Sequence, residues 1–270
     1  MDLHKDIRLL RFMHYRMNNI FALFSHSLRF VLPFVKPVEG VKEERKMICG
    51  MKCSIFTSES TEKGTLLSLH GGAFASPAAP YHKKNASIYA TCGYKVIMPD
   101  YPLLPFHHHP EALERITALA ESTENLSVIE GDSAGGFLAL QTVSRLKDKP
   151  DLMLIYPVVM TEEETASMRE YENTPMWNGR NNRWMVRHYL NGLSVPEHDT
   201  EGIRRAFIET AEYDPLHDEG IMIYQELTEE GTETVLSETE GTLHGYDFLW
   251  KKPYVRMFRE KRLEWLRTRQ

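Results

Sequence analysis

A serine in a glycine-rich segment is the first residue whose setting indicates chemistry. Ser133 lies in the run Gly131-Asp132-Ser133-Ala134-Gly135-Gly136, between an apolar stretch with β character and a stretch with helical character. A Gly-x-Ser-x-Gly run is typical of a sharp strand-to-helix turn, where small neighbours relieve crowding and the hydroxyl is exposed. Because a serine hydroxyl is a weak nucleophile at neutral pH, it needs a base, and the base needs an orienting carboxylate. The run therefore predicts a nucleophile whose partners lie elsewhere in the chain.

A second glycine-rich segment follows an earlier predicted strand. It reads His70-Gly71-Gly72-Ala73-Phe74. Consecutive glycines allow backbone N–H groups to turn toward a developing oxyanion. A plain glycine turn is the alternative, but its combination with the serine segment favours an oxyanion hole. We expect the N–H groups of Gly71, Gly72 and Ala134 to be the donors.

These two segments resemble the hormone-sensitive-lipase-like family of α/β-hydrolases. Asp100-Tyr101-Pro102-Leu103-Leu104-Pro105 is similar to that family's Asp-Tyr-Arg-Leu-Ala-Pro segment, although Pro102 and Leu104 depart from it. Ala73 replaces a glycine that is common in the family, which leaves the oxyanion hole intact and narrows the acyl side of the pocket. The resemblance spans residues 64 to 250 approximately, and it implies a triad in the chain order serine, acid, histidine.

The resemblance assigns the acid and the base. Thr210-Ala211-Glu212-Tyr213-Asp214-Pro215-Leu216-His217-Asp218-Glu219 matches the family's Asp-Pro-Leu-x-Asp-Glu pattern, which makes Asp214 the acid. Asp218 is the competing residue, but we expect it to cap the following helix. Leu243-His244-Gly245-Tyr246 resembles the family's His-Gly-Phe segment, with Tyr246 in place of Phe, and makes His244 the base. The resemblance gives His70 a role in shaping the loop at residues 70–74, which we call the oxyanion loop.

Strands that alternate with helices predict the elements that position these residues. We expect a hairpin around Gly50 at 46–57, and then strands at 65–70, 94–99, 126–130, 152–156, 206–212 and 234–238. Helices are expected at 81–92, from Pro110, after Ser133, at 219–230, and at the end of the chain. This alternation predicts an α/β fold with a mainly parallel sheet covered by helices on both faces. Each candidate residue follows a predicted strand, at the sheet edge where such folds place their sites.

Two segments are expected to lie outside that core. Residues 1–40 carry apolar positions at helical spacing, among them Ile7, Leu10, Met17, Ile20, Phe24, Leu28 and Val31. Residues 161–200 form a polar insertion with a helix at 184–190. The resemblance implies that they are a two-part helical cap on a catalytic domain of residues 41–270. Whether the N-terminal helix is a lid, a homodimer contact or a membrane-surface element stays open. So does whether Trp177, Trp184, Met185 and Tyr189 face the pocket or the core.

Composition excludes several classes of protein. The formal net charge is −6 with no basic block, which argues against nucleic-acid binding. Three cysteines fit a reducing compartment, and Cys49-x-x-x-Cys53 has no second pair for zinc, so we expect both to pack in the interior. The apolar run at 20–35 is too short and too interrupted to span a membrane, and no secretory-signal layout precedes it. These observations predict a cytoplasmic protein without stable membrane insertion.

The expected function is a serine carboxylesterase that hydrolyses short- to medium-chain acyl esters of small molecules through an acyl-enzyme intermediate. Such chemistry needs no metal and no organic cofactor, and we expect His107-His108-His109 to be a solvated loop, since it has no partners at metal-ligand spacing. Two alternatives stay open. One is hydrolysis of another acyl bond, in a lactone, an amide or an acetylated small molecule. The other is a ligand-binding protein of the same fold without turnover.

Overall fold

A single sheet organises the molecule. The computed structural model describes residues 1–27, 35–60, 63–161 and 163–268. In these residues the strands are β1 (Val41–Ile48), β2 (Met51–Ser58), β3 (Thr65–Leu69), β4 (Lys95–Asp100), β5 (Leu126–Asp132), β6 (Asp151–Ile155), β7 (Arg205–Tyr213) and β8 (Glu233–Leu243). The sheet order is β1-β2-β4-β3-β5-β6-β7-β8. β2 is antiparallel to both of its neighbours, and all other pairs are parallel. The predicted mainly parallel sheet is confirmed.

Helices connect the strands. In the described chain they are α1 (Asn19–Ser25), α2 (Pro80–Ala90), α3 (Glu111–Glu121), α4 (Ala134–Arg145), α5 (Ala166–Glu170), α6 (Gly179–Leu190), α7 (His217–Glu229) and α8 (Pro253–Arg267). Short 3₁₀ helices lie at Arg8–Phe12 and Tyr246–Leu249. None of the helices in the described ranges has the length and apolarity needed to cross a bilayer.

Helices cover both faces of the sheet because successive side chains of a buried strand point in opposite directions. On β5, Ile129 packs in a core with Ile116 of α3 and Phe137 of α4. Its neighbour Val128 packs in a second core with Tyr89 of α2 and Phe258 of α8. The near-continuous apolar strands seen in the sequence are therefore buried on both faces. The helices leave the carboxyl ends of the strands available for a site.

The β1–β2 hairpin closes through a two-residue turn at Cys49 and Gly50, whose φ angles are +47° and +72°. Two positive φ angles give a turn whose twist matches that of the flanking strands. The predicted hairpin is confirmed, but the packing expected for Cys49 is wrong, because the turn leaves this side chain exposed. Cys53 and Cys92 are buried.

The N-terminal segment departs most from the sequence prediction. Ile7 and Met17 are buried as expected, but Ile20 is 80% exposed and Phe24 is 69% exposed. The physical reason is that α1 turns its small residues inward: Ala22 and Ser25 are buried, and the Ser25 hydroxyl donates to the carbonyl of Ala75 at 2.6 Å. Ile20, Leu23 and Phe24 of α1 are left on the outer side. The predicted positions Leu28 and Val31 lie outside the described residues.

A buried carboxyl lies in the middle of β5. Glu130 is 5% exposed, and its Oε2 accepts a hydrogen bond of 2.6 Å from the Ser68 hydroxyl. Burial, together with the charge of Asp132, raises the pKa of Glu130 from 4.5 to about 8. Between these two values the folded state holds a proton that the unfolded state releases. The contribution of Glu130 to stability is therefore lost as the pH rises from 4.5 toward 8.

We expect Glu130→Gln to weaken this pH dependence, because a Gln amide oxygen still accepts from Ser68 and does not titrate. With these pKa values, wild type should lose about 3 to 4 kcal/mol more unfolding free energy than the variant between pH 5 and pH 8. Urea unfolding at both pH values measures this, with exposed Glu124→Gln as the control. If the unfolding free energy of Glu130→Gln fell with pH as steeply as that of wild type, the raised pKa of Glu130 would be contradicted.

Candidate active site

Ser133 occupies a strained turn between β5 and α4. Its φ is +53°, a conformation that residues with a side chain rarely adopt. A Cβ on Gly131 would come 2.1 Å from the carbonyl oxygen of Gly135, and a Cβ on Gly135 would come 1.9 Å from that of Leu69. The neighbouring strand β6 stabilises the turn, since the N–H of Ser133 donates to the carbonyl of Ile155 at 2.9 Å. The two flanking glycines are thus required by close backbone approach, and the hydroxyl projects beyond the sheet edge.

The structure brings His244 and Asp214 to this hydroxyl. His244 Nε2 lies 2.8 Å from Ser133 Oγ, and His244 Nδ1 lies 2.7 Å from Asp214 Oδ2. Because an ionised carboxylate only accepts hydrogen bonds, Nδ1 carries the proton and Nε2 offers its lone pair to the hydroxyl. Asp214 is fully buried, and its Oδ1 accepts from the N–H of Leu216 at 2.8 Å. This arrangement can activate a serine as a nucleophile.

These residues sit at the ends of neighbouring strands. Asp214 follows β7 directly, and His244 follows β8, which extends to Leu243 and so is longer than the 234–238 strand expected from the sequence. Gly245 then turns the chain with a φ of +67°. The parallel β7–β8 pairing places the acid and the base beside each other, although 30 residues separate them in the chain.

Asp218, the competing acid, lies elsewhere. Its Oδ2 accepts from the N–H of Ser167 at 2.8 Å, in the first turn of α5. It lies in the first turn of α7, but α7 has no side-chain cap, so the expectation that Asp218 caps its own helix is wrong. The carboxylate instead fastens the 161–200 insertion to the core.

The oxyanion loop after β3 differs from the sequence prediction in one donor. The N–H of Gly71 donates to Asp132 Oδ1 at 2.9 Å, so it is not free to bind an oxyanion, and the expectation for Gly71 is wrong. The N–H groups of Gly72 and Ala73 have no acceptor among the described residues, and both residues line the same cavity as Ser133. The N–H of Ala134, at the start of α4, has no partner within the helix. These three groups are the available donors.

Asp132 anchors that loop, a role that sequence reasoning missed. Besides Gly71, its carboxylate contacts His82 Nε2 at 3.1 Å and accepts from the Tyr81 hydroxyl at 3.4 Å. His82 Nδ1 accepts from the N–H of Ala79, which leaves Nε2 as the donor toward Asp132. Burial alone would raise the pKa of Asp132, but His82 and the Gly71 N–H hold it below its ordinary value. An anionic acceptor with three donors is thus buried beside Ser133.

The other histidines have structural contacts. His70 Nδ1 lies 2.7 Å from the carbonyl oxygen of Gly71, its ring stacks on Tyr101, and burial lowers its pKa to about 4. His107 pairs with Glu111 at 2.7 Å, and His108 contacts the carbonyl oxygen of His188. His70 therefore stiffens the oxyanion loop, and the histidine run forms contacts with α3 and α6.

A cavity of about 150 Å³ opens onto Ser133 and His244. Its walls are mainly aromatic and apolar, and they come from the N-terminal segment, the oxyanion loop, the 161–200 insertion and the turn after β8; they include Tyr15, Met17, Phe21, Tyr81, Tyr156, Met176, Trp177 and Phe248. Of the four insertion residues left open by the sequence, Trp177 lines the cavity, Met185 and Tyr189 are buried in the core, and Trp184 packs partly buried against it.

One cavity wall is supported by a buried cluster of charged residues that no motif in the sequence predicts. The Tyr156 hydroxyl donates to Asp247 at 2.5 Å, and the Tyr156 ring lies against His244. Arg262 of α8 binds Asp247 at 3.1 Å and Glu209 at 3.0 Å. The Tyr246 hydroxyl donates to Glu209 at 2.7 Å, which explains a tyrosine where the resembled family has Phe.

Glu219 secures the chain that leaves β6. Its Oε2 accepts from the N–H groups of Val159 and Met160, at 2.6 and 2.9 Å. Burial raises its pKa to about 7, and these two hydrogen bonds oppose the rise. The same stretch supports the serine turn, because the N–H of Val158 donates to the carbonyl of Ser133 at 3.0 Å.

The fold and this geometry define the class of protein. A family model described as alpha/beta hydrolase fold matches residues 66–248, and the chain belongs to this family, as the resemblance predicted. The bacterial heroin esterase structure superposes with a TM-score of 0.85 at 23% identity, covering 98% of this chain and 97% of that one. An esterase from the bacterial hormone-sensitive lipase family superposes with a TM-score of 0.81 at 17% identity, covering 99% of each chain. These likenesses show the fold.

Curated relatives are similar over most of the chain. Carboxylesterase NlhH of Mycobacterium tuberculosis is 27% identical over 205 residues, which is 66% of this chain and 64% of that protein. The acetyl esterase of Salmonella paratyphi B is 26% identical over 221 residues, 71% of this chain and 68% of that protein. The match to NlhH thus spans just under two thirds of that relative's length.

We expect Asp132→Asn to lower kcat toward esters by about 10²-fold with little change in KM, because one Asn amide hydrogen would face the Nε2–H of His82 and displace the loop that carries the oxyanion donors. Steady-state kinetics with p-nitrophenyl acetate measures this. Asp151→Asn is the matched control, since Asp151 is equally buried at 6% and lies at the amino end of β6. Full kcat in Asp132→Asn would show that the loop does not depend on this carboxylate.

Proposed function

We propose that this chain is a serine carboxylesterase that hydrolyses short- to medium-chain acyl esters through an acyl-enzyme intermediate. The observation that carries the proposal is the continuous hydrogen-bonded chain from Ser133 through His244 to Asp214, at the base of an apolar cavity. Its chain order and its strand-end positions suit an α/β-hydrolase triad. The names of the similar proteins, carboxylesterase and acetyl esterase, support the same reaction.

The mechanism follows from the geometry. Ser133 Oγ attacks the ester carbonyl carbon while His244 Nε2 accepts the hydroxyl proton, and Asp214 stabilises the resulting imidazolium through Nδ1–H. The N–H groups of Gly72, Ala73 and Ala134 bind the oxyanion. The C–O bond then breaks, and His244 returns the proton to the leaving alcohol. Water, deprotonated by the same histidine, attacks the acyl-enzyme and releases the acid and the free serine.

The cavity supports a preference for short acyl groups. Its volume of about 150 Å³ is small beside the roughly 300–1,000 Å³ of sites for drug-sized ligands. Trp177 packs within 6.0 Å of the His244 ring, and Ala73 places a methyl group where glycine would leave space. We infer that small acyl esters of apolar alcohols fit this site best.

We further propose that residues 1–40 and 161–200 act as a two-part cap on a catalytic domain of residues 41–270. Three contacts support this division. Asn181 of α6 accepts from the N–H of Met17 at 2.9 Å and donates to the carbonyl of Tyr15 at 3.1 Å. The N–H of Met176 donates to the carbonyl of Met13 at 2.8 Å. The two segments are thus hydrogen-bonded to each other at residues that line the cavity, among them Tyr15, Met17 and Met176.

The proposal also covers the cellular compartment and the kind of molecule that the protein binds. A reducing, cytoplasmic setting is supported by three cysteines that all carry free thiols. The net charge of −6 supports a small-molecule ester, and not a nucleic acid, as the partner. A ligand-binding protein without turnover is disfavoured, because binding alone requires no base aligned on a serine hydroxyl.

Ser133→Ala should lower kcat/KM for p-nitrophenyl acetate and butyrate by about 10⁴-fold or more, because no nucleophile remains. Labelling by a fluorophosphonate probe should disappear as well. Ser76→Ala is the matched control, since Ser76 lines the same cavity and its hydroxyl bonds no histidine in the part of the chain that the structure describes. Wild-type protein no faster than Ser133→Ala on any ester, lactone or amide would overturn the enzyme proposal in favour of ligand binding.

Asp214→Asn should lower kcat by about 10⁴-fold, because an amide no longer holds His244 in the tautomer that accepts the serine proton. Asp218→Asn should stay within a few-fold of wild type, since its carboxylate contacts α5 instead of His244. Side-by-side kinetics of the two variants decides between the carboxylates. A larger loss in Asp218→Asn would reverse the assignment.

A further inference from the structure

The N-terminal segment exposes an unusual amount of apolar surface. Between Leu9 and Phe24 lie seven of the fifteen large apolar side chains that are exposed in the described part of the chain: Leu9, Phe12, Met13, Tyr15, Ile20, Leu23 and Phe24. Four of them are more than two-thirds exposed, from 68% for Phe12 to 80% for Ile20. Single exposed apolar residues are ordinary, but such a concentration marks a surface that meets a partner.

This apolar surface belongs to a segment that also lines the cavity. Tyr15, Met17 and Phe21 line the cavity, and each is three residues from one of the exposed side chains Phe12, Ile20 and Phe24. Three residues of chain span at most about 11 Å. The Cα atoms of Phe12, Ile20 and Phe24 therefore lie within about 11 Å of residues that line the cavity.

The same segment is basic in an acidic protein. Residues 7–27 contain Arg8, Arg11 and Arg16 and no Asp or Glu, although the whole chain has a net charge of −6. All three arginines are exposed, and none pairs with a carboxylate in the described ranges. Positive charge is thus concentrated beside the exposed aromatic and aliphatic groups.

A second segment that lines the cavity has the same character. Phe248 lines the cavity and is 45% exposed. It is followed within four residues by Trp250, Lys251 and Lys252, and both lysines are exposed. We call these groups, together with the exposed part of residues 8–24, the entrance rim.

We propose that the entrance rim docks onto a bilayer surface that contains anionic lipid, with its apolar side chains among the acyl chains and its basic groups at the headgroups. Apolar groups flanked by Lys and Arg are the composition that binds such surfaces. A symmetric second copy suits the rim less well, because an isologous contact would bring two copies of the same basic patch into one interface. Where the proposed esterase function holds, the docked site draws its ester from the membrane.

Vesicle co-sedimentation tests the inference. Ser133→Ala protein is the probe, so that no lipid is hydrolysed during the measurement. It should bind vesicles of phosphatidylcholine and phosphatidylglycerol in equal parts, and it should bind at least tenfold more weakly to pure phosphatidylcholine vesicles or in molar salt. Equal binding to both vesicle types, or to neither, would overturn the proposal.

Matched variants locate the binding surface. Adding Arg8→Gln, Arg11→Gln and Arg16→Gln should weaken binding about tenfold or more. The control removes three exposed charges at the amino ends of the strands, with Lys42→Gln, Lys147→Gln and Arg204→Gln, and should leave binding unchanged. An equal loss in both triple variants would mean that only overall charge matters, and would overturn the role of the rim.

The apolar contribution is tested in the same way. Phe12→Ser, Ile20→Ser and Phe24→Ser together should weaken binding about tenfold or more. Met47→Ser, Met222→Ser and Val235→Ser remove exposed apolar groups elsewhere and should have no effect. Thermal midpoints verify that both variants fold. If the first variant instead dissociates a wild-type dimer that binds no vesicles, the rim is a homodimer interface and the proposal fails.

These results are separable from the esterase proposal. Vesicle binding by a protein whose wild type hydrolyses no ester would retain the docking surface and reject the enzyme. Ester hydrolysis by a wild type that binds no vesicles would reject the docking surface alone.

Discussion

The hydrogen bond between the Asp132 carboxylate and the Gly71 N–H joins the two halves of the site. It ties the turn after β3 to the turn after β5, across 61 residues of chain. A buried carboxylate is costly unless charge-assisted hydrogen bonds compensate for the lost water, and here Gly71, His82 and Tyr81 provide them. The N–H groups of the next two residues, Gly72 and Ala73, have no acceptor among the described residues, and both residues line the cavity. The position of the oxyanion loop thus depends on a residue next to the nucleophile.

The opposite wall depends on a second buried group of charges. Arg262 is 2% exposed and binds both Glu209 and Asp247, and Asp247 in turn accepts from the hydroxyl of Tyr156 beside His244. Removing one partner of such a buried cluster typically costs about 3 to 5 kcal/mol, because a charge is left uncompensated. The last helix therefore does more than cover the sheet, since it holds the wall against which His244 packs.

The N-terminal segment serves the pocket and the surface at once. Ala22 and Ser25 of α1 face inward against the oxyanion loop, whereas Ile20, Leu23 and Phe24 face outward. The same packing that brings Met17 and Phe21 to the cavity exposes Ile20 and Phe24. An ordinary amphipathic helix would bury its large apolar residues, whereas α1 packs Ala22 and Ser25 inward, with Ser25 bonded to the carbonyl of Ala75.

Much of the fold and the candidate residues could be read from the sequence, because they depend on local patterns. Apolar runs and their spacing determined the strands and helices, and the glycines around Ser133 determined a turn that only small neighbours allow. The resemblance named Asp214 and His244 from motifs a few residues long. Element ends were less certain, as β8 shows, because pairing with β7 extends it to Leu243.

Only the tertiary structure decided the features that depend on contacts between distant residues. Gly71 looks like any other donor in its segment, and only the approach of Asp132 occupies its N–H. Asp218 carries the same carboxylate as Asp214, yet the position of α5 gives it a different partner. The outward face of α1 follows from what lies beneath it. In each case the sequence determined the chemical group, and the packing of remote segments decided which partner that group meets.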